Sequence, residues 1–254
     1  MNKTKAFACV VFFLFTSKIF AQGNYGGGVD NENMHFGFGF QYIGSEFKII
    51  KKSNWRNPYF EEGKQVTESL ISIRSGTNPG FGIGFVLPDL YINPNLNLRF
   101  TPSLVFADRV IDYEYADGAS VDQAGVQSPN GFTRRTVSST MADFPISLKL
   151  KSDRQNNFRA YILAGAKYGI DIASKKKEDD NGELAINKFL KNKKSFLSYE
   201  VGIGFDLYFE YFKLSPEFKL SNSVNSILRE EDHPYASPIE KLFLRNFVFS
   251  LYFE

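Results

Sequence analysis

Large apolar residues alternate with small or polar ones along most of this chain, and SFLSYEVGIGFDLYFEYFKLSPEFKLS (Ser195–Ser221) shows the pattern plainly. Leu197, Tyr199, Val201, Ile203, Phe205, Leu207 and Phe209 share one parity; Ser198, Glu200, Gly202, Gly204 and Asp206 share the other. The pattern then resumes with Phe212, Leu214, Pro216, Phe218 and Leu220 set against Lys213, Ser215, Glu217 and Lys219. Successive side chains point to opposite sides of a strand, so this is a tight hairpin with one apolar and one polar face. Alternation recurs from Met34, Pro79, Asn95, Met141 and Phe158, and in the closing LFLRNFVFSLYFE. The expected result is eight strands, each near or above the ~9–11 residues with which a tilted strand crosses a bilayer.

The connections sort by length. Those near Ile50–Asn78, Asp117–Arg134, Ser174–Lys194 and Asn222–Lys241 are long and polar, and those near Asp89–Pro94, Asp153–Asn157 and Glu210–Tyr211 are short. Long and short links alternating around an even number of strands is the plan of an outer-membrane barrel, with long loops outside and tight periplasmic turns.

A soluble barrel with an apolar interior would also alternate, and glycine separates the two cases. Gly37, Gly39, Gly80, Gly82, Gly84, Gly165, Gly169, Gly202 and Gly204 all fall on the polar parity. A narrow barrel has little room inside, so small residues belong in the lumen and bulky apolar ones on the outside. The polar face of a lipocalin-like soluble barrel would look at water and have no use for so many glycines. The fold class expected is therefore all-β: an eight-stranded antiparallel up-and-down transmembrane barrel.

Its lumen then receives Arg99, Lys149, Arg159, Lys167, Lys213 and Lys219 together with Asp143, Asp171, Glu200, Asp206 and Glu217. An eight-stranded barrel is just wide enough for side chains to fill. Charges enclosed there must pair and hydrogen-bond. A cross-strand network plugging the lumen is expected rather than a pore.

Composition narrows the functions. The chain has 254 residues with 27 Phe and a formal charge of +2, which gives no nucleic-acid footprint. Mean hydropathy is −0.25, and the region after the N-terminus holds no run of ~20 apolar residues that would make a spanning helix. At the N-terminus, Lys3 and Lys5 precede the apolar AFACVVFFLF and then KIFA. That order is a secretory signal peptide, with cleavage expected between Ala21 and Gln22. Residues 1–21 are read as the signal peptide, 22–33 as a flexible mature N-terminus and 34–254 as the barrel. Cys9 lies within the signal, so no thiol chemistry is expected in the mature chain.

No catalytic residue, metal ligand or cofactor-binding residue is assigned, and no enzymatic activity is expected. Chemistry on membrane lipid would need a histidine and a serine together at the outer leaflet. His35 opens the first strand at its periplasmic end, and His233 lies in the last long loop. No cluster has metal-ligand spacing. The first long loop carries Trp55, Tyr59 and Phe60, and exposed loop aromatics are typical interface anchors; packing onto the barrel rim is the equal alternative. The run KKKEDD (Lys175–Asp180) reads as a solvated loop tip, with a docking surface for a partner as the alternative. Lys151, Arg154 and Arg159 flank the second short turn, where they are candidate contacts at the periplasmic rim.

The segment DFPISLKLKSDRQNNFRAYILAGAKYGIDIAS (Asp143–Ser174) resembles the PorT/SprT family of Bacteroidetes. The resemblance extends to NMHFGFGFQ, LRFTPSLVF and IEKLFLRNFVFSLYFE, and its most specific part is the turn from Lys151 to Arg159, continuing to Lys167, Tyr168 and Asp171. Departures fall chiefly in the loops. The resemblance implies an outer-membrane barrel of the type IX protein secretion and gliding machinery, with outer-membrane lipid and other secretion proteins as partners. A small structural or adhesive outer-membrane protein with ligand-binding extracellular loops is the alternative.

Overall fold

The computed structural model describes residues 36–87, 89–116, 120–121, 127–128, 131–173 and 184–254. The expected signal peptide with its Ala21–Gln22 junction, the mature N-terminus 22–33, His35 and Lys175–Asp180 lie outside the described residues.

Every alternating segment forms a strand. In chain order these are β1 (Gly37–Lys51), β2 in three segments (Leu70–Gly76, Asn78–Val86, Asp89–Asn93) and β3 in two (Leu96–Phe100, Ser103–Tyr115). They continue as β4 (Phe132–Lys151), β5 (Phe158–Asp171), β6 (Ser195–Tyr208), β7 (Lys213–Ser223) and β8 (Ile239–Phe253). Each is antiparallel to its sequence neighbours, and β1 closes on β8 in a register from Phe38 opposite Phe253 to Ile50 opposite Lys241. Among the described residues the barrel strands therefore make one closed up-and-down ring of eight, as the alternation requires.

Glycine permits the tight interior. A Cβ on Gly39 would stand 2.4 Å from the Tyr252 ring, and one on Gly204 would stand 2.4 Å from the Tyr161 ring. Each glycine leaves a socket into which an inward-pointing ring from the neighbouring strand fits.

Several strands run past the bilayer. β4 has 20 residues, about twice what a crossing needs, and Leu70–Gly76 is strand where a loop reaching Asn78 was expected. The lipid-facing pattern stops earlier than the pairing does. On β1 the outward residues Phe38, Phe40 and Tyr42 give way above Gly44 to Glu46 and Lys48, and the inward ones become Ile43, Phe47 and Ile49. On β3 outward Leu104 and Phe106 give way to Asp108, Asp112 and Glu114, while Ile111, Tyr113 and Tyr115 turn inward. The apolar parity switches without a change of register, because the outside of the barrel passes from lipid to water.

One seam interrupts the wall. β1 pairs with β2 only up to Ser45 opposite Asn78. Above that point Leu70–Gly76 is laddered to β3, and Ser75 bridges the gap. Its hydroxyl accepts from the Phe47 N–H (3.0 Å) and donates to the Val110 carbonyl (2.8 Å). Loop 52–69 covers the top of the seam, where the Leu70 N–H donates to the Arg56 carbonyl at 3.1 Å. At the loop's tip Glu62 and Gly63 both have positive φ (49° and 79°), the backbone of a tight hairpin turn.

Candidate functional site

Inside the periplasmic half, charged side chains from five strands meet, joined by Glu254 just beyond β8. Arg99 on β3 reaches across the lumen to Glu217 on β7 and to Glu254 (2.6 Å). Lys213 donates to Glu254 (2.8 Å), and Lys219 to Glu217 (3.2 Å). Lys149 donates to both Asp206 oxygens at 3.0 Å, and Ser215 donates to the same carboxylate at 2.7 Å. Higher up, Lys167 lies between Asp143 (3.0 Å) and Glu200 (3.1 Å). Asp171 accepts from the Ser139 hydroxyl at 2.9 Å.

Two rings complete the network. Tyr161 donates to Glu217 (2.9 Å) and lies under the Lys149 ammonium, 3.9 Å from its ring centre. The Tyr252 hydroxyl accepts from Gln41 (3.0 Å) and Lys219 (3.2 Å), and its ring faces the Arg99 guanidinium. At mid-barrel a cavity of about 20 Å³, lined by Gln41, Asp143, Lys167, Glu200 and Asn246 among others, is left over. That is roughly enough for one water molecule. Among the described residues these side chains pack across the lumen.

The extracellular half is packed differently. Ile43, Phe47, Leu70, Ile73, Ile111, Leu242 and Leu244 form an apolar cluster that takes in Ile227, Leu228 and Tyr235 from loop 224–238 and Leu190 from the preceding loop. Tyr235 is the stopper. Its ring meets Tyr113 edge-on at 5.3 Å, its carbonyl accepts from the Tyr113 hydroxyl (2.8 Å), and its own hydroxyl donates to the Ile186 carbonyl (2.9 Å). Arg135 stacks 4.1 Å from that ring and donates to the hydroxyl. Burial raises the Tyr235 phenol above its ordinary pKa despite the neighbouring guanidinium. His233 is fully buried beside it, and its Nδ1 accepts the Tyr235 N–H at 3.3 Å.

Ten of the eleven expected lumen residues are buried: Arg99, Asp143, Lys149, Lys167, Asp171, Glu200, Asp206, Lys213, Glu217 and Lys219. Arg159 is half-buried at the periplasmic mouth. The same parity, followed further, finds residues that were passed over. Arg109 and Arg135 continue the inward faces of Arg99 and Lys149 above the bilayer. Glu254 ends the chain one step past Phe253, and its side chain turns back into the lumen.

The rim assignments need correction. Lys151 is buried, because it shares the inward parity of Lys149 two residues earlier. Arg154 holds its own turn: it donates to the Asn156 carbonyl (2.6 Å) and the Asn157 side chain (3.2 Å) and stacks on Tyr208, 3.7 Å from the ring centre. The loop aromatics divide. Trp55 packs against the apolar cluster with Lys51 over its ring at 4.1 Å. The Tyr59 hydroxyl donates to the Asp232 carbonyl (3.2 Å), tying the first long loop to the last. Burial, then the Asp232 charge, pushes that phenol up to about 12. Phe60 projects from the loop with over half its surface exposed.

A closed ring of eight strands with an apolar outer band, a stacked aromatic belt at its periplasmic edge (Phe38 with Phe253, Phe209 with Phe212, Phe158 with Phe205) and a filled polar lumen defines a small outer-membrane barrel protein. The chain belongs to the outer membrane protein beta-barrel domain family, whose model matches residues 20–229. No curated protein matches it in sequence. Among solved structures it is similar to Neisserial surface protein A (10% identity over 87% of this chain and 98% of that chain, TM-score 0.39). It is also similar to the attachment invasion locus protein Ail of Yersinia pestis (10%, 87% and 99%, 0.36) and to OprG of Pseudomonas aeruginosa (12%, 86% and 92%, 0.33).

Proposed function

We propose that the protein is a non-enzymatic accessory component of a protein secretion apparatus of the type IX and gliding kind, working through contacts made by its ends and loops. The observation that carries the non-conducting part of this reading is the filled interior. A tube closed by ion pairs in one half and by Tyr235 in the other passes no solute, so its partners meet it from outside. The step to secretion is supported by the resemblance through the turn from Lys151 to Arg159. Because Arg154 is engaged in holding that turn, the side chains offered to a periplasmic partner are the exposed Asp153, Gln155 and Asn156.

The alternative, a small adhesive barrel, is favoured by one feature: the strands carry the exposed Phe60 loop above the bilayer on a rigid stem. One experiment separates the two. The gene is deleted in its host, and proteins of the culture supernatant are compared with those retained in the cells. Cargo trapped in the periplasm, and released again on complementation, supports the secretion role. An unchanged supernatant overturns it and leaves the adhesive reading, to be tested by trimming the Phe60 loop.

A further inference from the structure

The outer wall built by β1, β8, β7 and β6 is not smooth. Pairing sets its outward side chains in rows: Tyr42, Phe249 and Phe218; above them Gly44, Phe247 and Leu220; above those Glu46, Arg245 and Asn222. Gly44 breaks the apolar surface. Beside Tyr42 and Phe247 lies a groove of about 680 Å³, lined also by Val201, Gly202, Ile203 and Phe218. That volume is in the range of pockets that hold small-molecule ligands, roughly 300–1,000 Å³.

Directly over the groove the chemistry changes from apolar to charged. Arg245 donates from Nε to the Asn222 amide oxygen (3.2 Å) and from Nη1 to Glu46 (3.4 Å), which also accepts from the Thr77 hydroxyl (2.7 Å). These groups fix the guanidinium at the edge of the lipid band while leaving it partly exposed. Lys48 and Lys241, outward and exposed on the next two rows, add positive charge, so that with Arg245 three cations stand against the carboxylates of Glu46 and the exposed Glu240. The switch in apolar parity places this level at the boundary of the outer leaflet.

We propose that this wall binds a phosphorylated lipid of the outer leaflet, with acyl chain in the groove at Gly44 and phosphate against Arg245 and Lys48. The occupant follows from the juxtaposition: an apolar groove across β1, β8, β7 and β6, open to the bilayer, lying under a net positive headgroup-level cluster. A neutral lipid would use the groove and leave the cluster's excess positive charge unanswered. The inference rests on the wall alone and stands whether or not export depends on the chain.

The test uses the folded barrel in phosphatidylcholine nanodiscs doped with bis-phosphorylated lipid A or with its dephosphorylated form, and native mass spectrometry counts the lipid retained. Retention of the phosphorylated form is expected to exceed that of the other, and Arg245→Gln with Lys48→Gln to lower it about thirtyfold, from the loss of two cations near an anionic headgroup. Gly44→Leu, which fills the groove, is expected to lower retention of both. Arg134→Gln, a cation on the opposite wall, leaves retention unchanged. Heat-modifiable gel mobility verifies that each variant is folded, and Lys48→Gln alone carries the charge test if the Arg245 variant fails to fold. Equal retention of the two lipids, or equal loss with Arg134→Gln, overturns the proposal.

Discussion

At the level of Phe249 the barrel is apolar outside and charged within; at the level of Leu242 it is charged outside and apolar within. The strands are the same and the register is unbroken. Only the surrounding medium differs, and it dictates which parity is apolar. The periplasmic half must fill its interior with what lipid will not accept, so it uses ion pairs. The extracellular half stands in water and packs like an ordinary soluble barrel, with Tyr235 and its loop as the lid. The two fillings differ in how they fail. An apolar cluster loses stability in proportion to the atoms removed, whereas a buried charge network loses far more when one member is taken from it than when it was never built.

The largest effect is therefore expected from Arg99→Ala, which leaves Glu217 and Glu254 short of a guanidinium in the lumen. Removing one partner of a buried pair costs about 3–5 kcal/mol, read as a lower urea midpoint of the barrel in lipid vesicles. A midpoint within error of the parent would mean that water hydrates the lumen. Next comes a pair on the outer face of neighbouring strands. Phe218→Lys, in the apolar band, is expected to cost about 2–4 kcal/mol, while Phe243→Lys, two residues above Arg245, costs under about 1 kcal/mol. Equal penalties would move the boundary drawn here. Gly204→Ala drives a methyl into the Tyr161 ring and is expected to cost about 1–3 kcal/mol by overpacking, again by urea titration. The smallest is Arg134→Gln, which removes an exposed bridge to Asp112 (2.7 Å) above the bilayer; about 0.5 kcal/mol or less is expected.

Much of this was legible in the residues. Alternation gave the strands, loop lengths the topology, and the glycines the sense of inside and outside. The inward charges followed from parity, yet their partners did not. Arg99 and Glu217 are 118 residues apart and meet only because three strands curl between them, and no local pattern reports that. The parity switch at Gly44 is written in the sequence, but it looks like the end of a strand, which is why Arg109, Arg135 and the segment Leu70–Gly76 were passed over. Lys151, at the periplasmic end of β4, keeps the inward parity of Lys149 and is buried there, which the adjoining turn sequence hides. Glu254 lies just past the last alternating segment, and its partners Arg99 and Lys213 are distant in sequence, so no local pattern reports it.

The lumen network also acts as a proofreading device for assembly. A strand that slips by one residue turns every side chain to the opposite face. In β7 that slip would send Lys213, Glu217 and Lys219 into lipid and turn Phe218 inward against Tyr252. Each strand's charges are answered only when its distant counterparts have arrived in the correct phase. A barrel closed one step wrong is thus marked by unanswered charge before it ever settles in the membrane.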